Sequence, residues 1–318
     1  KEPSGLDGHG SKGRTAACTT KERTMCVGTA IPFIKMHGLG NAYIYLDLFR
    51  EDIRVSDYAE LARRVADPNT GIGSDGLILI APSETADVKM RIFNKDGSEG
   101  KNCGNGLRCV AKYVYETGIV KKERFTIETL GGTVAAEVHP SGGAVETVTI
   151  DMGAPALSRC AIPMAGEGEG PVIDEAIEAG EAVYRVTAVS MGNPHALFFV
   201  GDIGEAPIEK IGPLLADGGH PLFPEGANVG FIEPVGPREL IYRVWERGSG
   251  MTQACGTGAC AAVVAAVLNN QAERGSRVTV HLAGGDLDIV WDAASDHVFM
   301  TGPAEIVCRG TYFAPDDL

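Results

Sequence analysis

RIFNKDGSEGKNCGNG, residues 91–106, is written again as RVWERGSGMTQACGTG, residues 243–258. The register shift is 243 − 91 = 152, with no gap. It superposes Arg91 on Arg243, Cys103 on Cys255, Gly104 on Gly256 and Gly106 on Gly258. A lone C-G-x-G carries little weight in a chain with 42 glycines. The same shift also lays Gly40-Asn41 on Gly192-Asn193, Gly76 on Asn228 and Asn94 on Glu246. One offset that aligns several separate motifs marks a duplication. A unit of about 150 residues is too long for a solenoid repeat and has the size of a domain. The expectation is two related α/β domains, each presenting a cysteine just ahead of a glycine-rich helix start.

Composition sets the outer bounds. The 318 residues suffice for two domains with a core in each. Hydrophobic residues at 44% and charged residues at 22% are ordinary for a globular chain. A formal net charge of −14 argues against nucleic acid or an anionic membrane as partner. It leaves an anionic small molecule open, because a site can be locally positive. The apolar run Cys260–Leu268 has nine residues, against the about 20 needed to span a bilayer. It reads as a buried helix. Residues 1–30 are polar and glycine-rich, without an apolar signal core, and read as a disordered extension, tag or leader. The eight cysteines show no CxxC and no zinc spacing, so neither a disulfide scaffold nor a metal site is expected. Free thiols and the lack of a leader point to the cytoplasm.

The folded part is expected to begin near Ile31. Strands are read over Tyr43–Asp47, Leu77–Ala81, Val88–Phe93, Phe125–Thr129, Thr133–Val138 and Val145–Asp151. The second half repeats the order with Val183–Ser190, Ala196–Val200, Ala227–Glu233, Leu240–Trp245, Val278–Leu282, Leu287–Trp291 and Val298–Met300. Helical spacing covers Asp57–Asp67, with Ser56 as N-cap, then Gly104–Thr117, Gly204–Leu215 and Gly256 to about Leu268. Gly118 offers a natural stop after the second of these.

The chemistry follows from where the two cysteines stand. A thiol at a helix N-terminus meets the positive end of the macrodipole and unsatisfied N–H groups. That position is expected to lower its pKa from about 8.5. The glycines admit a ligand close to the backbone, and the amides form a carboxylate site. Two such helix starts meeting head to head would put a thiolate on one side of an α-carbon and a thiol on the other. One removes a proton, the other returns one, and the carbon inverts. The amides would stabilise the enediolate. No lysine motif or phosphate cup suggests pyridoxal phosphate, and no cofactor is needed. Cys109, Cys160, Cys260 and Cys308 are expected in the core. Asn41, Asn193 and Asn228 would be plain turn residues if each stood alone, and their shared offset makes them ligand candidates. Glu246-Arg247 suits an ammonium and a carboxylate, and His195 a polar wall of the site.

At these residues the chain resembles the diaminopimelate epimerase family. The phrases are Lys35–Asn41 (KMHGLGN), Gly71–Gly76 (GIGSDG), Arg91–Glu99, Asn102–Gly106 (NCGNG), Ser190–His195 (SMGNPH), Glu246–Gly248 (ERG) and Ala254–Cys260 (ACGTGAC). The resemblance implies interconversion of LL- and meso-2,6-diaminopimelate without pyridoxal phosphate, on the route to lysine and peptidoglycan precursors. It implies two pseudo-symmetric domains, each a curved, mixed or antiparallel sheet around a central helix, with the site in the cleft between them. The domains would be 31–151 with 303–318, and 152–302. A homodimer is implied. Cys103 and Cys255 would be the acid/base pair, supported by His195 and Glu246. Asn41, Asn94, Asn193, Asn228, Glu246 and Arg247 would contact substrate. Gly104, Asn105, Gly256 and Thr257 would hold the reacting carboxylate through their amides. Some members carry a ligand-contacting Gln where this chain has Gly76, so Gly76 is left out of the site.

Three other readings compete. A proline or hydroxyproline racemase of the same fold would not need the Asn cluster or Glu246-Arg247. A redox protein could use Cys103 and Cys255 as a reversible disulfide. A non-catalytic amino-acid-binding module would not need paired thiols.

Overall fold

The computed structural model describes residues 29–50, 53 and 55–315. The expected extension over residues 1–30 lies outside them except at its end, as do Cys18 and Cys26. The first half runs β1 (Thr29–Gly38), β2 (Asn41–Asp47), α1 (Tyr58–Ala66), β3 (Gly76–Ala81), β4 (Val88–Asn94), β5 (Glu99–Gly100), α2 (Gly104–Glu116), β6 (Arg124–Thr129), β7 (Gly132–Ser141) and β8 (Ala144–Asp151). After β9 (Glu175–Ala179) the same ten elements recur. They are β10 (Ala182–Ser190), β11 (Pro194–Phe199), α3 (Ile208–Ala216), β12 (Asn228–Gly236), β13 (Glu239–Glu246), β14 (Gly250–Met251), α4 (Gly256–Leu268), β15 (Arg277–Leu282), β16 (Gly285–Trp291) and β17 (Val298–Gly302). β18 (Glu305–Ala314) closes the chain. The offset read from the sequence carries α2 onto α4 end to end.

The hydrogen-bond ladder repeats as well. In the first half the neighbours run β1, β2, β3, β4, β6, β7, β8, with parallel pairs at β2–β3 and β4–β6. In the second half they run β10, β11, β12, β13, β15, β16, β17, with parallel pairs at β11–β12 and β13–β15. β8 and β17 join the halves antiparallel, with Thr149 opposite Thr301. Those two residues are themselves 152 apart, and their hydroxyls hydrogen-bond at 2.7 Å. A pseudo-twofold axis therefore passes between them. β18 adds to β1 and β9 adds to β10.

Each half wraps its central helix. In α4 every residue from Ala259 to Ala266 is buried, which is what a helix apolar on all sides requires. One core cluster holds both α2 and α4. The clusters under α1 and α3 are separate and lie on the opposite sheet faces.

Four expectations are corrected. The N-cap of α1 is Asp57, not Ser56: one Asp57 oxygen accepts from the amides of Ala59 and Glu60 at 2.9 and 3.0 Å. A carboxylate there also answers the helix dipole. α3 starts at Ile208 rather than Gly204, because Pro207 holds Ala206 extended at ψ 129° and isolates a short 3-10 turn before it. Cys160 and Cys308 are exposed rather than core. The first sits in a surface 3-10 turn and the second on β18, which is exposed along most of its length.

Candidate functional site

Cys103 is the N-cap of α2 and Cys255 the N-cap of α4. Both have the extended backbone that a cap needs, and the Cys103 side chain also turns back over its first helical turn. The Cys103 sulfur accepts from the Gly106 amide at 3.4 Å. The two helix starts converge. A Cβ added to Gly104 would lie 2.7 Å from Met300 Cε, and one added to Gly256 would lie 3.0 Å from Met300 Sδ. Asn105 reaches over from α2 and donates to the Ala254 carbonyl at 3.4 Å, just before Cys255. A side chain at either start would press on this shared methionine, and the two glycines leave it room.

The two thiols differ in their company. Cys103 neighbours the Tyr43 phenol, and its sulfur lies 3.7 Å from Asn41 Oδ1. Asn41 also accepts from Asn105 at 3.2 Å, and it donates to Asp75 at 2.7 Å. Cys255 lies beside the Glu246 carboxylate and 3.5 Å from the Thr257 hydroxyl. Glu246 in turn accepts from Thr252.

Burial pushes both thiols up, Cys255 much further than Cys103. At Cys103 the Gly106 amide, the Tyr43 hydroxyl and the Arg108 charge oppose burial. At Cys255 the Glu246 charge adds to it. The expected lowering by the helix terminus is thus present but outweighed by desolvation. Burial also raises Glu246, and Asp75 across the site adds to the rise.

The remaining candidates fall around this centre. Asn94 ends β4 and donates to the Ser98 hydroxyl at 3.0 Å. Asn193 Oδ1 lies 3.1 Å from His195 Nε2. His195 is fully buried, its Nδ1 has no partner, and burial pushes the imidazole down to about 3. It is neutral, donates through Nε2 and leaves Nδ1 as an unused acceptor. Asn228, opposite His195 in the β11–β12 ladder, donates to the Pro194 carbonyl and accepts from the Arg247 amide at 2.9 Å. The Arg247 guanidinium is exposed and donates to the Glu225 carbonyl, so its second edge is open to solvent. Gly76 admits no side chain: a Cβ there would sit 2.0 Å from the Phe93 carbonyl oxygen.

Sequence reasoning passed over Asp75, Tyr43, Thr252 and Met300. Asp75 stood inside the quoted GIGSDG phrase. Tyr43 was within reach of the duplication, since 43 and 195 differ by the same 152.

Two cysteine-capped helices thus meet end to end inside a mixed α/β fold, and that fold recurs in solved proteins described as racemases, epimerases and isomerases. It is shared with a solved hydroxyproline epimerase from Agrobacterium vitis (TM-score 0.64, 17% identity, covering 89% of this chain and 92% of that one). A PhzF-family phenazine biosynthesis protein from Bacillus anthracis is similar too (TM-score 0.65, 16% identity, 90% and 100% covered). The sequence is more specific. The diaminopimelate epimerase family model matches residues 33–158 and 187–307. A diaminopimelate epimerase from Geobacillus kaustophilus (strain HTA426) is 62% identical over 281 residues, 88% of this chain and 96% of that protein. The chain belongs to the diaminopimelate epimerase family, and it is an isomerase.

Proposed function

We propose that this chain interconverts LL- and meso-2,6-diaminopimelate by a two-base thiol/thiolate mechanism. The observation that carries the reading is the pair of cysteine N-caps, equivalent under the duplication, whose helices converge on Met300. The substrate α-carboxylate binds the first-turn amides of Gly104, Asn105, Gly256 and Thr257, with Cys103 and Cys255 on opposite faces of the α-carbon. One sulfur, as thiolate, takes the α-proton and becomes a thiol. The electron pair delocalises into the carboxylate, where the amides stabilise it. The opposite thiol then delivers its proton to the other face and becomes the thiolate. Each turnover exchanges the protonation states of the pair, so the reverse reaction starts from the opposite sulfur.

The far end of the substrate is what selects diaminopimelate over proline. Its ammonium meets the Glu246 carboxylate, its carboxylate the open edge of Arg247, and Asn41, Asn94, Asn193 and Asn228 line the way. His195 and Glu246 support the reaction by fixing Asn193 and the Cys255 proton. Supply of meso-diaminopimelate for lysine and peptidoglycan precursors, a cytoplasmic location and a homodimer belong to the same proposal.

Incubation with LL-diaminopimelate in D₂O under reducing conditions tests it. Deuterium should enter the α-position as meso product forms. Folded, reduced protein that does neither removes the proposal. Cys103→Ala and Cys255→Ala should each lower turnover by at least about 10²-fold, the scale of general acid–base catalysis. Near-normal turnover in either variant would eliminate the two-base step.

A further inference from the structure

Arg108, one turn into α2, is fully buried. Its Nε donates to the Pro303 carbonyl at 3.1 Å and its Nη1 faces Met300 Sδ at 3.6 Å. Its Nη2 has no hydrogen-bond partner. Among the described residues no carboxylate pairs with it. An uncompensated cation in a core is costly, and arginine keeps its proton even there.

The duplicated scaffold does not repeat this residue. The duplication supplies the control: position 108 corresponds to 260, and α4 fills the equivalent place with Cys260, fully buried. One helix therefore holds a charge where its twin holds a small thiol. The charge lies next to Met300, the residue both helix starts share.

We propose that Arg108 is a positioning residue for the two-thiol reaction, its buried charge selecting Cys103 over Cys255 as the sulfur ionised in the resting enzyme. This rests on the two-thiol reading. The groups facing Cys103 and Arg108 agree with the assignment. Tyr43 and Tyr45 come from β2, Cys109 from α2 itself and Cys260 from α4, all of them neutral near pH 7. Asp75, which acts on Tyr43, is the acidic group on that side. Arg108 stands on α2, the helix that Cys103 itself caps, and its charge opposes the burial of that thiol, whereas Cys255 caps α4 and faces Tyr242 and the Glu246 carboxylate.

Iodoacetamide labelling of the reduced protein across pH, resolved by peptide mass, reads the ionisation of each thiol separately. In the wild type Cys103 should label at lower pH than Cys255. Arg108→Met, and Arg108→Gln with a donor retained for Pro303, should each move the Cys103 midpoint up by about one unit, a tenfold loss of thiolate. The acid limb of kcat/KM should move with it. Arg108→Lys should restore the wild-type midpoint. Cys255 labelling first, or equal shifts in the charged and neutral variants, would overturn the proposal. Either failure would leave wild-type deuterium exchange intact, whereas loss of exchange would strike the epimerase reading and leave the labelling order measurable.

Discussion

At the scale of single residues, the site is built from groups whose ordinary charge states are suppressed. His195 is the clearest case. An unfolded histidine titrates near about 6.5, and here burial, with the nearby Arg247 charge, pushes it down to about 3. Between those values the unfolded chain binds a proton that the folded chain refuses. Stability therefore rises with pH across the window and is lost as pH falls below about 6.5, by up to about 1.4 kcal/mol per unit. His195→Gln should make the unfolding free energy fall less steeply between about pH 6.5 and 4.5. Equal slopes in urea titrations of variant and wild type would mean that His195 takes up its proton while folded. The residue types of the site were legible because the duplication tied them together. Their electrostatics were not, because the dipole at a helix start can be read from a motif whereas desolvation depends on what the rest of the chain places above it.

Elements were legible where period and punctuation agreed. α4 follows from a run of small apolar residues after C-G-T-G, and its bounds coincide with the sequence reading. β1 and β9 were missed, and β18 was expected only through the family resemblance, not from its own residues; β9 and β18 pair at the outer ends of the ladder. β18 is exposed from Val307 to Thr311, so it carries no alternation for a strand reading to catch; its pairing is decided by β1. The start of α1 turned on a choice between adjacent capping residues, Ser56 and Asp57. Asp57 caps two amides and brings a full charge to the dipole. Asp57→Ala should therefore lower the unfolding free energy by about 1 kcal/mol, while Asp57→Asn, which keeps the acceptor, should lose less than half of that. A loss confined to high salt, or none at all, would show that α1 is held by its buried Leu61, Ala62 and Val65 alone.

The whole molecule is a duplicated scaffold carrying an unduplicated site. Ten elements recur in the same order with the same parallel and antiparallel neighbours, yet Asn94 stands against Glu246, Tyr43 against His195 and Arg108 against Cys260. Equivalent thiols are needed to reach both faces of one carbon, and unequal surroundings are needed to hold a substrate in one orientation. The scaffold symmetry has its own fastening at the β8–β17 seam, where half-buried Thr149 and Thr301 share a hydrogen bond across the axis. Thr149 also meets His139 Nε2 at 2.7 Å, so the seam carries a short polar chain on the sheet face opposite the buried Val148, Ile150 and Met300. Thr149→Val and Thr301→Val should each cost about 1 kcal/mol of unfolding free energy. Because both remove the same bond, the double variant should cost less than the two single losses together, by about 0.5 kcal/mol or more. Additive losses in a double-mutant cycle would show that the hydroxyls are held separately, and that the halves are joined by the backbone ladder and the shared core around α2 and α4 without help from the axis.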